Sequence, residues 1–93
     1  VEHFANINAL IQELWRISVD GAAWYILTPS YRSENSWNDP THLSHWGPHM
    51  LDFYTREGFD GRRYPPATVS FAMRETPGDG LEWDVTVVKP GAP

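Results

Sequence analysis

The chain has no cysteine, which rules out disulfides and thiolate metal sites and leaves the packed core to hold the fold alone. It has no apolar run near the ~20 residues that cross a bilayer, and its first residues, VEHFANIN, lack the basic stretch and apolar block of a secretory signal. Positive charge is scarce too. Seven bases, of which only Lys89 is a lysine, stand against twelve acids and give a formal net charge of −5. A nucleic-acid surface needs a basic stripe to displace counterions from phosphates, so that class of partner is disfavoured. These absences describe a soluble domain, cytoplasmic rather than secreted, with neither nucleic acid nor membrane as its partner. Its acidity suits a basic protein, which it would attract and steer.

What is present is enough for one core. Ninety-three residues make a single domain, expected over 1–89, and the closing KPGAP has the composition of a tail or linker, at 90–93. A start at Val1 fits a processed chain or a piece of a longer one equally well. Aromatics make up 14% of the residues, and each buried ring removes ~150 to 250 Å² from water, so a few rings replace many aliphatics.

Phe4, Ile7, Leu10, Ile11, Leu14 and Ile17 recur at three- and four-residue steps, predicting an amphipathic helix at about 3–17. Asp20-Gly21 supplies a turn. The following AAWYILT is apolar on both alternating faces, which predicts a strand at 22–28 covered on both sides inside a sheet. The stretch 29–40, rich in Ser, Asn and Pro, has no period and reads as a long exposed loop. Asp39-Pro40 has the form of a helix entrance with Asp39 as N-cap, and Gly47-Pro48 should split the segment into a short first turn and a second helix at about 48–57 with Gly58 as its stop. After an irregular 59–66, two alternating runs at 67–75 and 81–89 form a hairpin that pairs Val69 with Val87, Phe71 with Val85 and Met73 with Trp83, with Arg74 opposite Glu82 and near Asp84 on the other face. The expected class is α+β, with two helices on a small, mainly antiparallel three-stranded sheet that ends in a C-terminal β-hairpin.

The stretch from Trp37 to Tyr54 is the densest in reactive groups, holding three of the four histidines. His42, His45, His49 and Asp52 would fall within about an 80° sector of a continuous helix, a set of donors that suits zinc or a similar divalent metal. Pro48 interrupts that helix. A histidine oriented by Asp39 or Asp52 and paired with Ser36, Thr41 or Ser44 would serve acid–base chemistry, but no GxSxG elbow or Gly-rich phosphate loop accompanies them. The chain is therefore expected to need no cofactor and to lack enzymatic activity. Tyr31, Arg32, Trp37, Asp39 and Trp46 are the candidate contacts for a protein partner, because aromatics and arginine dominate interface hot spots. Arg56, Arg62 and Arg63 form the one local basic cluster, able to take a carboxylate or phosphate, with Asp60 and Glu57 beside it to neutralise it. The function these readings favour is a small acidic interaction module, an inhibitor, immunity-type or accessory protein that uses the 29–49 segment. The alternative is a small enzyme or ligand- or metal-binding domain built on His42, His45 and His49. The oligomeric state is not encoded in any of these patterns.

Overall fold

The computed structural model describes residues 6–90, without the side chain of Asn35. Helix α1 spans Ile7–Ile17 and begins where Asn6 caps it, its Oδ1 accepting from the Ala9 N–H at 2.9 Å. Ile7, Ile11 and Trp15 are its buried stripe, while Ile17, expected on that stripe, faces solvent. Residues 1–5, including Phe4 and the expected start of the helix, lie outside the described residues. The helix stops at Ser18, whose N–H and hydroxyl bond back to the carbonyls of Trp15 and Leu14.

Gly21, at φ +80°, reverses the chain into β1 (Ala23–Pro29). A short helix α2 (Glu34–Asn38), a single 3₁₀ turn at Met50–Tyr54, β2 (Val69–Thr76) and β3 (Gly80–Val87) follow. The three strands are antiparallel in the order β1-β3-β2. The fold is α+β, with two helices and an antiparallel sheet that closes on a C-terminal hairpin.

The hairpin has the expected register, with Val69 on Val87, Phe71 on Val85, Met73 on Trp83 and Thr76 on Gly80. Alternation decides this, because a slip by one residue would turn every apolar side chain outward. Arg74 lies opposite Glu82 and bonds both Glu82 and Asp84, at 2.9 and 3.0 Å.

β1 departs from expectation. It is an edge strand, and Tyr25 and Leu27 on its outer face are 61% and 57% exposed. The hairpin leaves one free side on each of its strands, and β1 docks on β3, so β3 becomes the central strand. Ile26 and Thr28 of β1 then share the core face with Leu81, Trp83, Val85 and Val87. The outer face has no layer over it because the chain between β1 and β2 packs on the core side. A strand apolar on both faces was therefore a misleading sign of central position.

The second correction concerns 48–57. No α-helix forms there and Asp39 caps none, though the short turn expected after it does form, the Asp39 carbonyl accepting from the His42 N–H at 3.1 Å. Asp39 instead closes a tight turn, its Oδ1 accepting from the Thr41 N–H at 2.9 Å and the Thr41 hydroxyl at 2.7 Å. The 3₁₀ turn suits its sequence, since Leu51 and Tyr54, three residues apart and both buried, lie one above the other at three residues per turn. Thr55 ends it, its N–H and hydroxyl both bonding the Asp52 carbonyl. Position 58 needs glycine on two counts, its positive φ of 71° and the Arg62 carbonyl on which a Cβ would fall. Phe59 and Arg62 exchange backbone hydrogen bonds across Asp60 and Gly61, both at positive φ, which makes 59–62 a tight two-residue hairpin rather than an irregular connection.

The core lies between the inner sheet face, α1 and the 46–54 segment. Trp46 and Trp83 are fully buried and meet at 5.2 Å with a 59° tilt. Gln12 ties α1 to the chain before β2, its Oε1 accepting from the Ala67 N–H and its Nε2 donating to the Tyr64 carbonyl. Trp15 donates its indole N–H to the Val88 carbonyl. No helix among the described residues is long and apolar enough to cross a membrane.

Candidate functional site

The 30–46 segment is pinned at both ends. Leaving β1, the Ser30 N–H bonds the Asp79 carbonyl at 2.7 Å, and the Tyr31 N–H bonds the Trp46 carbonyl at 2.7 Å. Between these points, Ser30, Ser33 and Ser36 are all buried, and the N–H of each of the last two bonds the carbonyl three residues earlier. Small hydroxyl side chains at a spacing of three let α2 sit directly on the protein body. A stretch expected to be an exposed loop is thus ordered from beneath. The three-residue serine spacing is the signal that would have shown it.

This support holds up an aromatic ledge. Trp37 is 63% exposed, yet it is fixed from two directions. Its indole N–H donates to the Tyr31 carbonyl at 2.6 Å, and its ring stacks on His45 with centroids 3.5 Å apart and planes 13° from parallel. His45 is itself held by a 2.8 Å bond between its Nδ1 and the Ser36 hydroxyl. Beside it, Tyr31 packs against Gly47, and Arg32 lies over the Tyr31 ring with its Nε–H donating to the Tyr31 hydroxyl at 3.1 Å. That bond raises the proton affinity of the guanidinium. Asp39 and Leu43 are also exposed on the segment. Leu43 was not foreseen, because an isolated Leu in a polar stretch reads as an inward anchor.

Of the five expected contact residues, Tyr31, Arg32, Trp37 and Asp39 are at the surface. Trp46 is not. It fills the core against Trp83 and cannot touch a partner. The two indole N–H groups, of Trp46 and of Trp83, are buried without an acceptor among the described residues.

The histidines are brought apart rather than together. His42 approaches Asp39 at 3.5 Å, His45 bonds Ser36, and His49 bonds Asp52 at 2.8 Å while its ring leans on Phe59. Among the described residues no three His, Asp or Glu side chains gather as metal ligands would. Pro48 is the reason, because the helix that would have aligned them does not form. The Ser36–His45 pair has the elements of a nucleophile and base, but Ser36 is 1% exposed and its partner nitrogen is stacked under Trp37. Neither Asp39 nor Asp52 orients His45; each carboxylate faces a different histidine. A nucleophile must reach its substrate, and this hydroxyl serves as a strut.

Arg63 donates its Nε–H to the Thr55 carbonyl at 2.9 Å. Arg56 and Arg62 make no ion pair with another described residue, so the expected neutralisation by Glu57 and Asp60 does not occur. No family model matches the chain, and no curated protein or solved structure is similar to it.

Proposed function

We propose that the chain is a small protein-interaction module, of the inhibitor, immunity-type or accessory kind, which docks on a partner protein through the exposed side of the 29–49 segment. The observation that carries this is the fixed, outward-facing Trp37. A large apolar ring on a surface is ordinarily mobile or folded back. This one is held by an indole hydrogen bond and a stacking partner, so most of the ordering that binding requires has already been met. Tyr31 and Arg32 flank it, completing the residue types that dominate interface hot spots. Burying the exposed part of the indole is worth about 2 to 4 kcal/mol, enough to anchor an interface. The acidic balance of the chain favours a partner face that is basic.

The alternative, a small enzyme or metal-binding domain using His42, His45 and His49, has less support, since the three rings point into separate partnerships. The two readings separate in one experiment. Immobilised chain should retain a partner stoichiometrically, and Trp37→Ala should release it with the circular dichroism spectrum unchanged. Equal retention by wild type and Trp37→Ala would remove the basis of the proposal.

A further inference from the structure

One face of the Trp37 ring is taken and the other is open. His45 lies nearly parallel to it at 3.5 Å, and the indole N–H is spent on the Tyr31 carbonyl, yet the residue remains 63% exposed. The exposed area is therefore chiefly the ring face opposite His45. An indole face carries the negative end of the ring quadrupole and attracts cations held over it more strongly than phenol or benzene does. Because His45 backs the ring and the Tyr31 carbonyl fixes its edge, that face is a flat plate already held in place.

The charges around the plate favour a cation. Glu34 precedes Trp37 by three positions in α2, a spacing that sets two Cβ atoms about 5 to 6 Å apart on a helix. Both side chains are exposed, on the side of α2 away from the buried Ser33 and Ser36. Glu34 makes no ion pair with another described residue. Asp39, two positions beyond the ring, is exposed as well. Arg32 is the one arginine or lysine of the 29–49 segment, and it is engaged elsewhere. It lies over the Tyr31 ring and bonds the Tyr31 hydroxyl, which is what chiefly raises its proton affinity, with Glu75 and Asp79 of the β2–β3 hairpin adding to the effect. The Glu34 carboxylate is thus left without a counter-ion among the described residues.

On the reading of 29–49 as a docking surface, we propose that the ledge receives an arginine of the partner protein, its guanidinium flat on the open face of Trp37 and its charge met by Glu34. The guest completes a three-layer stack with Trp37 and His45. A guanidinium fits better than an ammonium because it is planar, like the plate, and more weakly hydrated, so less is lost in bringing it against a ring. The carboxylate supplies the complementary charge that fixes where along the partner the contact falls.

The probe is a capped serine-arginine-serine tripeptide, titrated to tens of millimolar into the ¹⁵N-labelled protein at constant ionic strength. The arginine side-chain protons should move upfield in the ring current of the indole, and the Trp37 indole N–H should shift. Citrulline in place of arginine keeps the shape without the charge and should weaken the response about three- to tenfold; lysine should weaken it about twofold or more. Glu34→Gln should weaken the arginine peptide about two- to fivefold and leave the citrulline peptide unchanged. No response to the arginine peptide, or an equal response in Trp37→Leu, overturns the proposal. An equal response to a norleucine peptide overturns it in favour of an apolar anchor, and the docking reading then stands. Retention of a partner protein that is lost in Trp37→Ala but unchanged in Glu34→Gln likewise removes the arginine while leaving the docking surface in place.

Discussion

Tyr54 offers the sharpest quantitative test of the packing. Its hydroxyl donates to Asn8 Oδ1 at 2.9 Å, joining the 3₁₀ turn to α1, and the residue is only 3% exposed. Burial, reinforced by the neighbouring Tyr64, pushes its phenol up to about 12. In the unfolded chain the group titrates near 10. Below pH 10 the phenol is protonated in both states and its contribution to stability is fully present. As the pH rises past 10 the unfolded chain releases the proton while the folded chain keeps it, so stability falls until the folded value near 12 is passed. At about 1.4 kcal/mol for each tenfold difference in proton affinity, the loss is about 2 to 3 kcal/mol. Tyr54→Phe removes both effects. At pH 8 it should cost about 1 kcal/mol for the lost hydrogen bond, with exposed Asn8 turning to water. Urea unfolding of both proteins at intervals from pH 8 to 12 gives a difference in which every other titrating group cancels. Wild type should be the more stable at pH 8 and the less stable by pH 12. A difference that stays constant over that range would refute the argument that burial holds the phenol neutral.

Other substitutions probe separate parts of the reasoning. Trp37→Ala should change the unfolding free energy by less than about 1 kcal/mol while weakening partner binding at least about thirtyfold by titration calorimetry. Ile26→Ala should cost about 2 to 4 kcal/mol in denaturant unfolding, against less than about 0.5 kcal/mol for its outward-facing neighbour in Leu27→Ala; comparable costs would mean that the outer sheet face is covered. Gly58→Ala should lower stability by about 2 kcal/mol or more because its Cβ meets the Arg62 carbonyl, whereas Gly61→Ala, also at positive φ but in open space, should cost about 1 kcal/mol by thermal melting. Arg74→Ala should cost less than about 1 kcal/mol, and that loss should vanish in 1 M salt, since its two ion pairs are exposed.

What could be read in advance follows from how each element is specified. The hairpin was legible because each of its strands carries its own alternation, and only one register puts Val69, Phe71 and Met73 against Val87, Val85 and Trp83. α1 was legible from its stripe, though Trp15 replaced Ile17 on the buried side. β1 misled because apolar side chains on both faces say nothing about how many layers the rest of the chain can supply. The 48–57 helix misled because a three-residue spacing, Leu51 to Tyr54, serves a 3₁₀ turn as well as an α-helix, and Thr55 captures the terminal carbonyl. Asp60-Gly61 was overlooked although it is the dipeptide that a two-residue hairpin turn demands. In the candidate site, Tyr31 and Trp37 were legible as large side chains in a polar stretch. Trp46 was not separable from them, because only its contact with Trp83, thirty-seven positions away, makes it core. The roles of Ser30, Ser33 and Ser36 were hidden by the habit of reading serine as surface.

The uneven burial of the indoles makes the molecule its own optical probe. Trp46 and Trp83 sit in a dry interior and Trp15 is nearly as enclosed, so their emission should be blue and resistant to acrylamide, whereas Trp37 should emit to the red and be quenched. Trp24 is half-buried and falls between the two groups. Occupation of the ledge would then dim or shift the most exposed chromophore while the other four stay constant. Unlabelled protein therefore reports directly whether the ledge has been engaged.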